Sequence, residues 1–172
     1  AMKPCPIQIT YIGYPYSTGL EEMDYRITDN ICDGDFSVSQ PFYSEKLIAL
    51  KNCFLCYNPG DTVIRDSELK KEKSKEIVIG CFNRINKITD SVIKMYNNIL
   101  VTIPNTRFVF KTKALINKKI ANDFLNKFNK KVRSRITILD CTISHRDHLL
   151  TYNKVDIAID TFPYSGTTTT CE

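Results

Sequence analysis

The stretch Ile77-Val78-Ile79-Gly80-Cys81 decides the fold class, because it opens a series of short apolar runs separated by amphipathic segments. Five consecutive apolar residues are typical of a strand that is buried in a parallel sheet. Comparable runs begin near residues 107, 135 and 156, and apolar residues recur with helical spacing in the segments between them. Three helices are predicted there: one that Thr89 or Asp90 caps, one over about 116–130 and a short one over 145–153. The apolar stripe of the second consists of Ile120, Phe124, Leu125 and Phe128. This alternation predicts repeated βαβ units, and therefore an α/β fold.

The part of the chain before this region has a different pattern. Residues 1–58 carry mainly strand and turn signals, whereas residues 59–75 are polar, mixed in charge and without periodicity. The candidate strands are residues 7–12, 23–28, 46–50 and 53–57. We therefore expect a β-rich part over residues 1–58, a linker over 59–75 and a parallel-sheet part over 76–172.

Composition excludes several classes of protein. The chain has 172 residues, of which 42% are hydrophobic and 25% charged, which is ordinary for a globular protein. No apolar run approaches the ~18 residues of a membrane span, and no signal peptide is recognisable. The seven cysteines are odd in number and lie mostly in apolar runs, so we expect an intracellular protein, cytoplasmic or nuclear. Cys53 and Cys56 have CxxC spacing without a second pair, and we interpret them as buried strand thiols rather than zinc ligands.

Positive charge is concentrated in one block of the sequence. Residues 107–135 hold ten Lys or Arg and one acid, Asp123, within a chain of net charge +5. Such a block is compatible with nucleic acid, whose binding would depend steeply on salt. The spacing instead places the lysines off the apolar stripe of one predicted helix, so we favour a solvated helix face. The lysines concerned are Lys118, Lys119, Lys127, Lys130 and Lys131.

Polar clusters follow three of the predicted strands, where an open α/β sheet binds its ligands. The first holds Asn83, Arg84 and Lys87, the second His145, Asp147 and His148, and the third Gly166 followed by Thr167, Thr168, Thr169 and Thr170. A glycine and hydroxyl residues at a strand-to-helix junction can cradle a phosphate, and a lysine supplies a cation. The threonines could equally form a simple helix N-cap, and both histidines could be surface residues. Together the clusters favour an anionic ligand.

These and other stretches resemble glycosyltransferase family 41, the protein O-GlcNAc transferase and SPINDLY family. The resemblance runs in order along nearly the whole chain and is weak over residues 30–42, 59–75 and 113–134. It rests on IQITYIGYP at 7–15, MDYRITD at 23–29, YSEKL at 43–47, CFLCY at 53–57, Phe82-Asn83 with Lys87-Ile88, Pro104-Asn105, VDIAIDTFPY at 155–164 and GTTTTCE at 166–172.

The resemblance implies a two-lobed GT-B glycosyltransferase, of which this chain is a catalytic-region fragment. Residues 1–58 then form the β-rich end of the N-terminal lobe, and residues 76–172 part of a Rossmann-like, nucleotide-sugar-binding C-terminal lobe. Lys87 resembles the lysine that neutralises the donor diphosphate, and His148 the histidine that lies against the nucleotide. Thr168 and Thr169 resemble the phosphate-binding threonines, and Glu172 an acid that contacts the ribose.

Five other positions bear on the donor. Asn83, Arg84 and Gly166 belong to the same implied donor site, although close relatives carry an amide at the position of Arg84. Thr167 replaces a histidine of the animal O-GlcNAc transferases, which favours the SPINDLY and bacterial form. His145 stands where some members carry lysine.

The family needs no metal, so we expect no cofactor besides the nucleotide-sugar co-substrate. Asp33-Gly34-Asp35 has the DxD spacing of metal-dependent glycosyltransferases of another fold. It lies in a turn-like stretch before the βαβ region, and we do not expect it to bind a metal.

The expected function is transfer of a sugar from a nucleotide donor to Ser or Thr of protein acceptors. UDP-GlcNAc is the expected donor, and GDP-fucose, used by SPINDLY-type protein O-fucosyltransferases, is the alternative. We expect little or no activity from these 172 residues alone. A non-catalytic nucleotide-sugar-binding remnant and a nucleic-acid binder remain as other classes, and no membrane partner is expected.

Overall fold

The computed structural model describes residues 2–60, 62, 64–69 and 75–172. The chain divides into two compact units, with the boundary between Asn58 and Pro59. Both units are built on parallel sheets, so the α/β class is confirmed. In the described part of the chain, no helix has the length and apolar character needed to cross a membrane.

The first unit is a three-stranded sheet of order β1-β2-β3, in which all strands are parallel. Its strands are β1 (Ile9–Thr10), β2 (Tyr25–Asp29) and β3 (Lys46–Leu50), and the short helix α1 (Phe36–Ser39) lies between β2 and β3. Strand β1 is shorter than predicted, because the chain turns at Ile12, which has a φ of 58°.

Residues 53–57 do not form the predicted strand, and the prediction of buried thiols there is wrong. Cys53 and Cys56 are exposed, and neither is in a strand. The backbone N–H of Phe54 donates to the carboxylate of Asp29 at 2.6 Å rather than to a neighbouring strand. The Phe54 side chain is buried, so this segment is anchored by one aromatic ring and one carboxylate.

The second unit is a four-stranded parallel sheet of order β6-β5-β4-β7. Its strands are β4 (Ile77–Cys81), β5 (Thr106–Phe110), β6 (Ile136–Ile138) and β7 (Ile157–Ala158). The helices are α2 (Asp90–Thr102), α3 (Lys118–Asn126), α4 (His145–Leu150) and α5 (Thr168–Cys171). The four predicted strands and the three predicted helices of this region are confirmed, with ends that differ by a few residues.

Helix α2 begins where the sequence predicts. The Thr89 hydroxyl accepts a hydrogen bond from the backbone N–H of Val92, as an N-cap residue does. The apolar side of α2 packs on β5, and Tyr96, Leu100, Phe108 and Phe110 are fully buried between them. Aromatic side chains thus dominate the core of this unit and fix the helix against the sheet.

The lysines of α3 and of the residues that follow it are exposed. Lys118, Lys119, Lys127, Lys130 and Lys131 are all exposed, whereas Phe124 and Phe128 are buried. The lysines are therefore exposed as predicted, but only Lys118 and Lys119 lie on α3 itself, since the helix ends at Asn126. Ile120 of the predicted apolar stripe is 41% exposed.

Close packing of a side chain against β4 explains the glycine in this strand. A Cβ added at Gly80 would lie 2.3 Å from Cγ1 of Val155, just before β7. The absence of a side chain at Gly80 leaves room for the Val155 side chain, and the backbone N–H of Ile159 donates to the Gly80 carbonyl at 2.8 Å. This contact brings the segment that follows β7 to the end of β4.

The predicted linker is only partly described. Residues 66–68 form a 3₁₀ turn, and the Glu68 carbonyl accepts a hydrogen bond of 2.7 Å from the Asn153 side chain. Residues 61, 63 and 70–74 lie outside the described part. Whether residues 59–75 link two lobes stays a prediction.

Candidate functional site

The site lies at the carboxyl edge of the second sheet, where β4 and β7 are neighbours. Because all four strands are parallel, the residues that follow them meet at one edge. A cavity of about 320 Å³ opens between these two strand ends and helix α5. The polar and aromatic side chains that line it are Phe82, Asn83, Tyr152, Asp160, Thr169, Thr170 and Glu172.

Asp160, which follows β7, organises the loop that leads to α5. Its carboxylate accepts hydrogen bonds from the backbone N–H of Gly166 at 2.8 Å and from the Thr170 hydroxyl at 2.8 Å. It also accepts from the Thr161 N–H at 2.7 Å and from the Asn83 amide at 2.9 Å. Burial acts to raise the pKa of Asp160, but these donors outweigh it and hold the pKa below its ordinary value.

Lys87 contacts the same loop between β7 and α5 through its side chain. It ends a 3₁₀ turn (Ile85–Lys87), and its Nζ donates to the Gly166 carbonyl and lies 4.2 Å from the centroid of the Tyr164 ring. Partial burial lowers the pKa of Lys87, and Asp160 opposes this effect. An ammonium group is therefore held against the glycine–threonine loop, as the sequence clusters predict.

The threonines differ in their contacts. The Thr169 hydroxyl donates to the Asn83 side-chain oxygen at 3.2 Å, and Thr170 is bound to Asp160. Thr167 and Thr168 are exposed. Thr167 is the N-cap residue of α5, but its side chain makes no capping hydrogen bond. The hydroxyl groups of Thr167 and Thr168 are thus placed toward solvent at the edge of the sheet rather than used for capping.

His148 and Glu172 form a second group of side chains at the site, apart from Lys87 and the glycine–threonine loop. Nε2 of His148 lies 2.9 Å from one carboxylate oxygen of Glu172, and Nε2 of His145 lies 3.4 Å from the other. The Glu172 side chain is 6% exposed, and the Tyr152 hydroxyl donates to it at 3.4 Å. The His148 ring packs near Phe82 and Tyr152, with centroids 6.0 and 5.8 Å apart.

The structure brings most of the predicted residues together. Asn83, Thr169 and Glu172 line the cavity, His148 lies against three lining residues, and Lys87 contacts Gly166. Arg84, Thr167 and Thr168 lie outside the lining and are exposed. None of these placements assigns a ligand, so the roles implied by the resemblance stay predictions.

Three residues of the site were missed from the sequence: Asp160, Tyr152 and Lys111. Asp160 and Lys111 are each the polar residue at the end of an apolar run, which is a usable signal at the carboxyl edge of a sheet. Tyr152 carries no such signal, since a tyrosine in a short amphipathic helix normally indicates packing.

The Asp33-Gly34-Asp35 stretch of the first unit is bound by its own chain. The carboxylate of Asp33 accepts hydrogen bonds from the hydroxyls of Tyr43 and Thr28. The carboxylate of Asp35 caps α1 by accepting from the Ser37 N–H at 2.8 Å. Among the residues with described positions, no cluster of three His, Cys, Asp or Glu has the arrangement of a metal site.

Comparison with known proteins adds independent information. The family described as "Glycosyl transferase family 41" matches residues 1–65. A protein of Arabidopsis thaliana, named probable UDP-N-acetylglucosamine–peptide N-acetylglucosaminyltransferase SPINDLY, is 37% identical over the whole chain, which covers 19% of that protein. A second protein of the same plant with the same enzyme name, SEC, is 31% identical over 62% of the chain and is itself covered to 12%.

A solved structure agrees with these matches. A mutant of the O-GlcNAc transferase of Thermobaculum terrenum superposes with a TM-score of 0.82 and 29% identity, over 97% of this chain and 31% of that one. The chain thus spans about a fifth of the length of its SPINDLY relative and corresponds to part of a catalytic region. Because sequence and structure matches both extend over essentially all of its residues, the chain belongs to glycosyltransferase family 41.

Proposed function

We propose that this chain contributes the nucleotide-sugar site of a protein O-glycosyltransferase that transfers GlcNAc from UDP-GlcNAc to Ser or Thr of proteins. The relatives named above carry peptide N-acetylglucosaminyltransferase or O-GlcNAc transferase in their names, which supports this reaction class. In this proposal the architecture is GT-B: residues 1–58 end the N-terminal lobe, residues 59–75 link the lobes, and residues 76–172 form part of the C-terminal lobe.

One observation carries the proposal: the Lys87 ammonium and the loop of Gly166 and Thr167–Thr170 meet at the carboxyl edge of the sheet. Transfer of the sugar leaves negative charge on the departing nucleoside diphosphate. A preorganised cation with hydroxyl and N–H donors stabilises that charge without a metal ion. Lys87 would exchange the Gly166 carbonyl for a phosphate oxygen, which is a stronger, charge-assisted acceptor.

His148 and Glu172 would bind the nucleoside in this proposal. The His148 ring, packed near Phe82 and Tyr152, offers a flat face to a base, and the Glu172 carboxylate is an acceptor for ribose hydroxyls. Asn83 is tied to both Asp160 and Thr169, so it joins β4 to the phosphate loop. Arg84 and Thr167, which are exposed and do not line the cavity, are also assigned to the donor site in this proposal.

GDP-fucose is the second candidate donor. Thr167, in place of the histidine of animal O-GlcNAc transferases, favours it, because the family resemblance includes SPINDLY-type protein O-fucosyltransferases. The residues proposed above to bind the nucleoside do not discriminate uracil from guanine, so the donor base must be measured.

Calorimetric titration of the chain with UDP, GDP, UDP-GlcNAc and GDP-fucose tests the proposal. We expect saturable binding of one nucleotide and its sugar, without turnover, and loss of that binding in Lys87→Ala. Lys94→Ala is the matched control, because Lys94 is an exposed lysine of α2. Folded protein that binds none of the four compounds would contradict the assignment.

A further inference from the structure

A buried lysine lies behind the proposed nucleotide site and has no part in the mechanism above. Lys111 directly follows β5 and is 5% exposed. Its Nζ lies 2.7 Å from Nδ1 of His148, 3.0 Å from the Thr142 hydroxyl and 3.3 Å from the Thr151 hydroxyl. An ammonium group has three hydrogens to donate, and these three acceptors account for all of them.

The charge of Lys111 is not neutralised by a direct ion pair. Among the residues whose positions are described, no carboxylate oxygen lies within 4.0 Å of its Nζ. Burial lowers the pKa of Lys111, while the Glu172 carboxylate and other nearby groups act in the opposite direction. Because a buried cation is costly without compensation, its hydrogen bonds to two hydroxyls and one imidazole are what stabilise it.

The contact with His148 determines where that ring carries its proton. An ammonium can only donate, so Nδ1 of His148 must accept and carries no hydrogen. The hydrogen of the neutral imidazole is then on Nε2, which lies 2.9 Å from Glu172 and donates to its carboxylate. An imidazolium would place a second hydrogen between two positive nitrogens only 2.7 Å apart.

We propose that Lys111 is a positioning residue that holds His148 as the neutral Nε2–H tautomer and directs it to Glu172. Cation, imidazole and carboxylate form one chain of hydrogen bonds, Lys111 to His148 to Glu172. Hydrogen bonds thereby fix both nitrogens of the His148 ring, and one oxygen of the Glu172 carboxylate is held by Nε2 of that ring. The role in ligand binding rests on the proposed function, whereas the tautomer is a property of the protein alone.

This arrangement has a chemical consequence for the site. A neutral, fixed imidazole offers an uncharged face for stacking against a nucleobase, and Glu172 keeps its remaining lone pairs for sugar hydroxyls. Without Lys111, the His148 ring can turn or change tautomer. The site would then lose preorganisation, which weakens binding without removing any atom that touches the ligand.

Long-range proton–nitrogen correlation spectra test the tautomer directly. The chain has two histidines, and His145→Gln assigns the signals of His148. At neutral pH we expect the Nε2–H pattern in the wild-type chain. In Lys111→Met the two nitrogen signals should move toward each other, whereas Lys111→Arg, which retains donors, should keep them apart. An Nδ1–H or imidazolium pattern in the wild type, or an unchanged pattern in Lys111→Met, would overturn the proposal.

Nucleotide affinity tests the positioning role. We expect about tenfold weaker binding of the preferred nucleotide by Lys111→Met, and recovery of most of it by Lys111→Arg. Lys118→Met, at an exposed position of α3, controls for the change in charge. Equal affinities of wild type and Lys111→Met would refute the role. If no nucleotide binds the wild type while the tautomer pattern is as expected, the proposed function fails and the tautomer assignment stands.

Discussion

Nζ of Lys87 lies 4.2 Å from the centroid of the Tyr164 ring, although 76 residues separate the two along the chain. The ring and the Gly166 carbonyl together hold the ammonium group at the loop that follows β7. A cation over an aromatic face is attracted by the ring quadrupole, by ~0.5–1 kcal/mol at exposed sites. Lys87 is therefore oriented toward the proposed phosphate position before a ligand arrives.

Replacement of Tyr164 by alanine should weaken nucleotide binding modestly. The loss of the ring removes an orienting contact worth ~0.5–1 kcal/mol, which corresponds to about a two- to fivefold lower affinity. Tyr164→Phe keeps the aromatic face and should bind like the wild type. Calorimetric titration measures both variants, and equal losses in the two would show that the hydroxyl rather than the ring matters.

Replacement of Gly80 by alanine should destabilise the second unit. The new Cβ would lie 2.3 Å from Cγ1 of Val155, a β-branched side chain with few alternative rotamers. Overpacking of this kind costs ~1–3 kcal/mol in the free energy of unfolding, which urea denaturation measures.

The double variant Gly80→Ala with Val155→Ala provides the control for this prediction. Removal of the valine methyl groups gives the new Cβ space, so the double variant should be more stable than the sum of the single changes implies. Strictly additive losses would show that β4 and the segment before β7 do not meet at these residues.

Replacement of Asp160 by asparagine should disorder the loop that leads to α5. The carboxylate accepts from the Gly166 N–H, the Thr170 hydroxyl and two further donors, whereas an amide presents its own N–H groups to some of them. Loss of such buried acceptors costs ~1–3 kcal/mol. We expect a lower melting temperature and weaker nucleotide binding together, and unchanged amide signals of Gly166 and Thr170 would contradict this role.

Glu45, which is fully buried, should make the stability of the first unit depend on pH. Burial acts to raise its pKa, but hydrogen bonds from Thr18 and Ser17 prevail and lower the pKa from its ordinary 4.5 to about 2. Because the folded-state pKa lies below the unfolded value, this stabilisation is complete above about pH 4.5 and is lost as the pH falls toward 2.

The amide proton of Thr18 reports this titration, since it donates to the Glu45 carboxylate at 2.6 Å. Its chemical shift should titrate near pH 2, well below an ordinary glutamate. Glu45→Gln should reduce the pH dependence of unfolding in the acid range. Titration of the Thr18 signal at the ordinary pKa of a glutamate would contradict the buried network.

The parts of the fold that follow from periodicity were predictable from the sequence. The apolar run Ile77–Cys81 and the Thr89 cap mark β4 and the start of α2, because these signals are local. The strand predicted over residues 53–57 is wrong. A short apolar run does not reveal whether it pairs with a neighbouring strand or is held by one buried ring such as that of Phe54.

The site was predictable in outline, because parallel strands bring the residues that follow them to one edge. The interactions that fix its geometry were not, since they join distant positions. Asp160 binds Asn83, 77 residues earlier, and Lys111 binds His148, 37 residues later. Lys111 was counted in the basic block, whose other members are largely solvent-exposed, and only the structure separates this buried cation from them.

The most direct test of the central claim is the difference in affinity between a nucleoside diphosphate and its monophosphate. If Lys87 and the glycine–threonine loop bind the diphosphate, the wild-type chain should bind UDP, or GDP if guanine is preferred, about tenfold or more tightly than the matching monophosphate. Lys87→Met should abolish most of this difference, whereas Lys94→Met should preserve it. Equal affinities for the two nucleotides in the folded wild-type chain, or a difference that survives in Lys87→Met, would contradict the account.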